Sequence, residues 1–139
     1  MDMLMRTMIA VSALAGLAAC ASPPPTLPAV PDYRQALLRP CANAGDWSPW
    51  LLVDYWDHGD GYRDRSPTQF RADGVMVYAY QGTTYDNGKW LLDGGSLHFD
   101  TNDHYADYDG VFDGERASGA MKNRKGNTGK WTLERACDG

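Results

Sequence analysis

Gly129-Lys130-Trp131-Thr132-Leu133-Glu134-Arg135 decides how this chain of 139 residues folds. Trp131 and Leu133 fall on one side of a period-two alternation, while Lys130, Thr132 and Glu134 fall on the other. Such a pattern describes a strand with one buried and one wet face. Its opening recurs at Gly88-Lys89-Trp90, followed by Leu91-Leu92. A duplication would carry the likeness further, but sliding the chain by 41 positions (129 − 88) aligns Ala79 with Ala120 and little else upstream. The echo is one structural device used twice: a turn glycine, an outward lysine, then a tryptophan and a leucine two apart on the core face.

Outward from this strand the same grammar continues. Ser96-Leu97-His98-Phe99 places Leu97 and Phe99 inside and His98 outside. In Tyr108-Asp109-Gly110-Val111-Phe112 the aromatics and Gly110 share a face, and a glycine on an inner face suits a sharply bent sheet. Turn signals stand at Asp73-Gly74, Asn87-Gly88, Asp93-Gly94-Gly95, Asp113-Gly114 and Gly126-Asn127. Strands are expected near 50–55, 66–71, 75–80, 89–92, 96–99, 105–112, 117–122 and 129–135. Residues 47–139 hold fifteen aromatics against twelve Leu, Val and Met and no Ile, so aromatic rings must fill the interior. The expected fold is all-β, an antiparallel up-and-down barrel of about eight strands, because closure removes the exposed edges of such a meander. An open sandwich is the second choice.

The N-terminal end reads differently. A single cation at Arg6 precedes an apolar run from Met8 to Ala19, too short for a membrane span and laid out as a signal peptide over residues 1–19. It ends in Leu17-Ala18-Ala19-Cys20, which resembles the lipobox of bacterial lipoproteins at all four positions. The resemblance implies that Cys20 is lipidated as the mature N-terminus and that the protein sits in the cell envelope, with Ala21 after the cysteine favouring the outer membrane. Prolines 23, 24, 25, 28, 31 and 40 then make residues 20–40 a lipidated spacer rather than a folded segment, although Asp32–Leu38 has room for about one helical turn. Residues 41–139 are left as the barrel domain. If Cys20 carries lipid, Cys41 and Cys137 are left to pair, and their disulfide would staple the two ends of that domain.

Gly88-Lys89-Trp90, Gly95–Phe99, Tyr105–Gly110, Gly119-Ala120-Met121 and Gly129-Lys130-Trp131 together look like small secreted barrels of the calycin type, the group of lipocalins and avidin-like proteins. The resemblance implies a barrel able to hold a ligand pocket. Trp47-Ser48-Pro49-Trp50 stands where a lipocalin has its Gly-x-Trp.

Catalytic signatures are absent from the sequence. Ser96 starts a strand and has no G-x-S-x-G elbow, and no Walker or dinucleotide glycine pattern occurs. Asp57-His58-Gly59-Asp60-Gly61 and Asp100–Tyr105 are rich in metal-ligand types, but neither fits a known spacing, so no metal and no cofactor are expected. The net charge of −5 on an exported chain argues against a nucleic-acid partner. Residues 93–115 carry seven acids and no Lys or Arg, whereas 116–135 carry six cations and one acid. Cross-strand pairing explains the two blocks. The other reading makes Arg116, Lys122, Arg124, Lys125 and Lys130 a basic patch for an anionic envelope component.

The expectation is a non-catalytic carrier or accessory protein, anchored in the envelope, whose inner aromatics Tyr78, Tyr80, Trp90, Tyr108 and Trp131 meet a small apolar ligand. The alternative is a loop-mediated inhibitor or interaction module acting on a secreted or envelope hydrolase, with Asp57–Asp64 and Lys122–Gly126 as its contacts.

Overall fold

The computed structural model describes residues 32–58 and 61–137; the expected signal segment, Cys20 and the expected spacer up to residue 31 lie outside the described residues. After a helix α1 (Tyr33–Leu38), eight strands follow: β1 (Trp50–Trp56), β2 (Arg63–Phe70), β3 (Val75–Tyr80), β4 (Thr83–Asp93), β5 (Ser96–Thr101), β6 (Ala106–Phe112), β7 (Arg116–Asn123) and β8 (Thr128–Arg135). Each pairs antiparallel with the next, and β8 returns to β1 with Trp131 opposite Asp54, so the sheet is a closed barrel and not a sandwich. Cys41 and Cys137 form the staple, with Cα atoms 5.6 Å apart.

The two Gly-Lys-Trp copies occupy equivalent core positions: Trp90 is buried on β4 and Trp131 on β8. Leu97, Phe99 and Leu133 are inside, as the alternation requires. Trp131 meets Phe99 edge-on at 4.9 Å between centroids, and its indole lies over Gly110. A Cβ on Gly110 would stand 2.7 Å from that ring and 2.1 Å from the Ser118 carbonyl oxygen. Directly across the ladder, a Cβ on Gly119 would stand 1.8 Å from the Asp109 carbonyl oxygen. Two facing glycines therefore let the sheet close tightly around one tryptophan. Gly119→Ala is expected to destabilise the fold by about 1–3 kcal/mol, read from the midpoint of urea unfolding with the disulfide intact. An unchanged midpoint would mean that β6 and β7 can part there at no cost.

The folded unit begins earlier than the sequence indicates. Asp32 caps α1, accepting from the Gln35 backbone N–H at 3.0 Å, and a helix of six residues needs tertiary support to persist. That support is the end of the barrel. Leu37 is 1% exposed within the core, the Trp50 indole N–H donates to its carbonyl at 2.9 Å, and Tyr33 packs on Phe112. Arg34 lies over Trp90 and donates to the Ala72 carbonyl, while Arg135 donates to the carbonyls of Arg39 and Pro40. Residues 32–40 thus belong to the folded unit, and α1 plugs one end of it.

A second correction concerns Asn87-Gly88, which is no turn but lies inside the long strand β4. Gly88 is there because the backbone of β4 passes close to its neighbours: a Cβ would fall 2.9 Å from the carbonyl oxygens of both Asp100 and Met76. The pairing of β3 with β4 shifts register between Met76 and Tyr78 beside this glycine. The β3–β4 hairpin turns instead at Gln81-Gly82, both with positive φ, which is what a two-residue hairpin loop needs.

The charge blocks are neighbours, as expected, with Asp107 opposite Lys122. The Asp107 carboxylate nevertheless has other company, namely His104 Nδ1 at 3.1 Å and His98 Nε2 at 4.0 Å.

Candidate functional site

Along each inward face the side chains change character from the plugged end to the open end. On β1 they run Trp50, Leu52, Asp54, Trp56; on β2, taken from its far end, Phe70, Thr68, Ser66, Asp64; on β3, Met76, Tyr78, Tyr80. Apolar rings and aliphatic groups fill the lower barrel, where Phe70 packs edge-on against both Trp90 and Phe99. Above them the interior opens into a cavity of about 470 Å³, within the range of small-molecule sites.

Phenol and indole rings, among them Trp56, Tyr62, Tyr78, Tyr80, Tyr85 and Tyr105, share the walls of the cavity with polar side chains such as Ser66, Asn102 and Asn123. Several hold one another in place. Tyr78 and Tyr85 stack with centroids 5.6 Å apart, and the Tyr78 hydroxyl donates to Asn87 Oδ1 at 2.6 Å. His58 lies between Trp56 and Tyr62, 6.0 and 6.4 Å from their rings.

At the floor is Asp54, 6% exposed. Its Oδ2 accepts a hydrogen bond from the Tyr108 hydroxyl at 2.8 Å, whereas its Oδ1 is buried with no partner among the described residues. Burial drives the carboxyl upward to about 7; the Tyr108 hydrogen bond opposes this and the nearby Asp64 carboxylate adds to it. Asp64, on the neighbouring strand, is also raised by burial. Tyr108 is pushed up in turn, by its own burial first and then by Asp54, so the phenol holds its proton and acts as a donor. A buried acceptor without a donor costs roughly 1–3 kcal/mol, and proteins rarely leave one unless something else supplies the donor.

Of the five residues singled out from sequence, Tyr78, Tyr80 and Tyr108 line this cavity. Trp90 and Trp131 lie in the packed interior below it, their indole N–H groups donating to the Arg71 carbonyl and to the carbonyls of Ala120 and Asp109. Asp54 and Trp56 are absent from the sequence reading, and Asp64 enters it only as the end of the Asp57–Asp64 loop assigned to a protein partner. The signal for Asp54 is present in Trp50-Leu51-Leu52-Val53-Asp54-Tyr55-Trp56, where strict alternation puts the aspartate on the same face as Trp50, Leu52 and Trp56. The two loops expected to serve a protein partner flank the same opening, through His58, Tyr62 and Lys125. His58 and His104, weighed together as metal ligands, are not brought into one cluster: the acid, histidine and cysteine groups that converge among the described residues are His98, Asp100 and Asp107.

The fold and site define a closed eight-stranded barrel, plugged at one end and open at the other onto an aromatic cavity with a carboxyl at its base. Comparison of the chain with protein-family models, with curated proteins and with solved structures finds no significant match in any of the three.

Proposed function

We propose that the protein is a lipid-anchored envelope lipoprotein whose barrel binds a small molecule without transforming it. The observation that carries this reading is the unpartnered Asp54 Oδ1 at the base of an aromatic cavity. A ligand suited to that site has an aromatic or apolar body and one hydrogen-bond donor, and a protonated amine suits it best. An ammonium group beside Asp54 favours the ionised carboxylate over the buried acid, while ring faces such as those of Tyr78 and Tyr85 attract a cation. Tyr108 fixes the carboxyl's orientation and keeps its own proton, which supports binding over turnover. The anchor rests on Leu17-Ala18-Ala19-Cys20, with lipid on Cys20 and the outer membrane favoured by Ala21.

Titration of the cavity tryptophan fluorescence with a phenylalkyl amine, the matching alcohol and the matching carboxylic acid tests the reading. The amine is expected to bind most tightly and the acid least, and Asp54→Asn should weaken amine binding by about 10-fold to 100-fold while sparing the alcohol. No binding by any of the three would remove the cavity as a site for this ligand class. Equal amine affinity in the variant would remove Asp54 from its recognition.

The clustering of His58, Tyr62 and Lys125 at the opening favours a second reading, in which the rim docks a protein such as an envelope hydrolase. Under it, substitutions at Tyr62 and Lys125 abolish capture of that partner while small-molecule binding at Asp54 persists.

A further inference from the structure

We propose that the outer face of the β5–β6 hairpin binds a divalent transition ion of the zinc class through His98, Asp100, His104 and Asp107. The site lies on the other side of the barrel wall from the cavity and does not depend on it. The ladder register builds most of it: Asp100 on β5 stands opposite Asp107 on β6, and His98 opposite Asp109. The turn joining the strands then brings His104 back over the pair.

The geometry supplies three positions of a four-coordinate ion and sets His104, from outside that cluster, against its two carboxylates. One ligand atom from each of His98, Asp100 and Asp107 can be chosen so that all lie within 4.8 Å of one another. His104 Nδ1 is 3.1 Å from Asp107 Oδ1 and 3.5 Å from Asp100 Oδ2, and His98 Nε2 is 4.0 Å from Asp107 Oδ1. Tetrahedral zinc with bonds of about 2.0–2.1 Å separates its ligands by about 3.4 Å, so these distances straddle what the ion requires.

Two further features point to an ion rather than to hydrogen bonding alone. The second ring nitrogen of His98, Nδ1, is 2.6 Å from Asp109 Oδ1, which turns Nε2 toward the cluster. A carboxylate behind the imidazole is the usual outer support of a metal-ligating histidine. In addition, Asp100 has a side chain only 3% exposed, accepts from the His104 backbone N–H at 3.3 Å and faces another carboxylate directly across the ladder, a repulsion that a cation between them would relieve. Two imidazoles with two carboxylates suit zinc and its neighbours in the transition series, whereas calcium and magnesium take oxygen ligands in larger number. The period-two reading of the sequence makes His98 an ordinary outward residue because only Asp100 shares its strand, Asp107 and His104 coming from the next strand and the turn.

Isothermal titration of the tag-free, chelator-stripped protein with zinc chloride, the disulfide intact, is the test, together with the absorption spectrum of the cobalt(II) form. One zinc per chain at micromolar affinity or tighter is expected, with cobalt bands of tetrahedral intensity and no uptake of calcium or magnesium. His98→Gln and His104→Gln should each weaken zinc by at least about 10-fold, and Asp109→Asn, which removes only a positioning residue, by about 10-fold to 100-fold with the cobalt bands shifted. Circular dichroism establishes that each variant keeps its sheet. Absence of zinc binding by the parent protein, or unchanged affinity in the double variant H98Q/H104Q, would overturn the proposal.

Discussion

Asparagine in place of Asp54 is expected to remove most of the pH dependence of this protein's stability between pH 4 and 8. Burial raises the carboxyl from its ordinary 3.8 to about 7 in the folded state, so over that interval the native protein holds a proton that the unfolded chain has released. Stability is therefore fully present below about pH 4 and is lost as pH rises toward 7, levelling off above it. The gap corresponds to about 4 kcal/mol, at 1.36 kcal/mol for each tenfold change in proton affinity. Asp64, raised in the same direction by burial, adds to the slope and leaves a remnant of it in the variant. Asp113, lowered by the backbone N–H groups of Arg116 and Glu115, acts below this interval. Urea unfolding at pH 5 and pH 8 measures the effect: the parent protein should be less stable at pH 8 than at pH 5, and the Asp54→Asn variant the more stable of the two proteins at pH 8. A parent stability that is flat between those pH values would show that Asp54 ionises without penalty. The same penalty is what a donor ligand relieves, since binding to the native state adds its own free energy to stability.

The second large effect is expected at the staple. Cys41 and Cys137 are 96 residues apart in sequence, and opening a loop of that length costs about 4–5 kcal/mol on the chain-entropy account. Replacing both by serine should lower the unfolding temperature by on the order of 20 °C, and reductant should do the same to the parent protein but nothing further to the variant. The bridge ties the segment after α1 to the end of β8, where Arg135 also reaches the carbonyls of Arg39 and Pro40. If the serine variant unfolds at the parent's temperature, those hydrogen bonds and the Trp50 contact hold the plug by themselves.

The barrel was largely legible in the sequence, and the site only in part. Trp131, Leu133, Leu97 and Phe99 declare their faces by alternation, which is a local property of each strand. Closure, with β8 returning to β1, follows because a meander of this kind leaves edges that must be covered. The β3–β4 turn was misplaced because Asn87-Gly88 carries a hairpin sequence while its glycine serves a close backbone approach, and Gln81-Gly82 carries little turn signature despite doing the turning. The role of α1 was hidden by the flanking prolines, since what holds a six-residue helix is contact with Trp50 and Trp90 far along the chain.

Whether an inner aromatic fills the core or lines a cavity is also a nonlocal matter. Trp131 and Tyr108 obey the same alternation, yet the first is packed against Phe99 and Gly110 and the second donates to a carboxyl across the barrel. Which residues the closed sheet brings against a ring decides the outcome, and that is not written in any one strand. Asp54 was the one legible exception, a charged residue on the buried parity of an otherwise apolar strand.

Carbon-13 NMR of the Asp54 side-chain carboxyl, followed from pH 3 to pH 10 with and without a saturating amine, tests most directly whether the open end of the barrel holds an unsatisfied acceptor. A midpoint near 7 in the free protein, falling when the amine is bound, is the expected result. A midpoint near 4 that the amine does not move would contradict it, because the carboxyl would then already be fully solvated or paired and the cavity would offer a ligand nothing to complete.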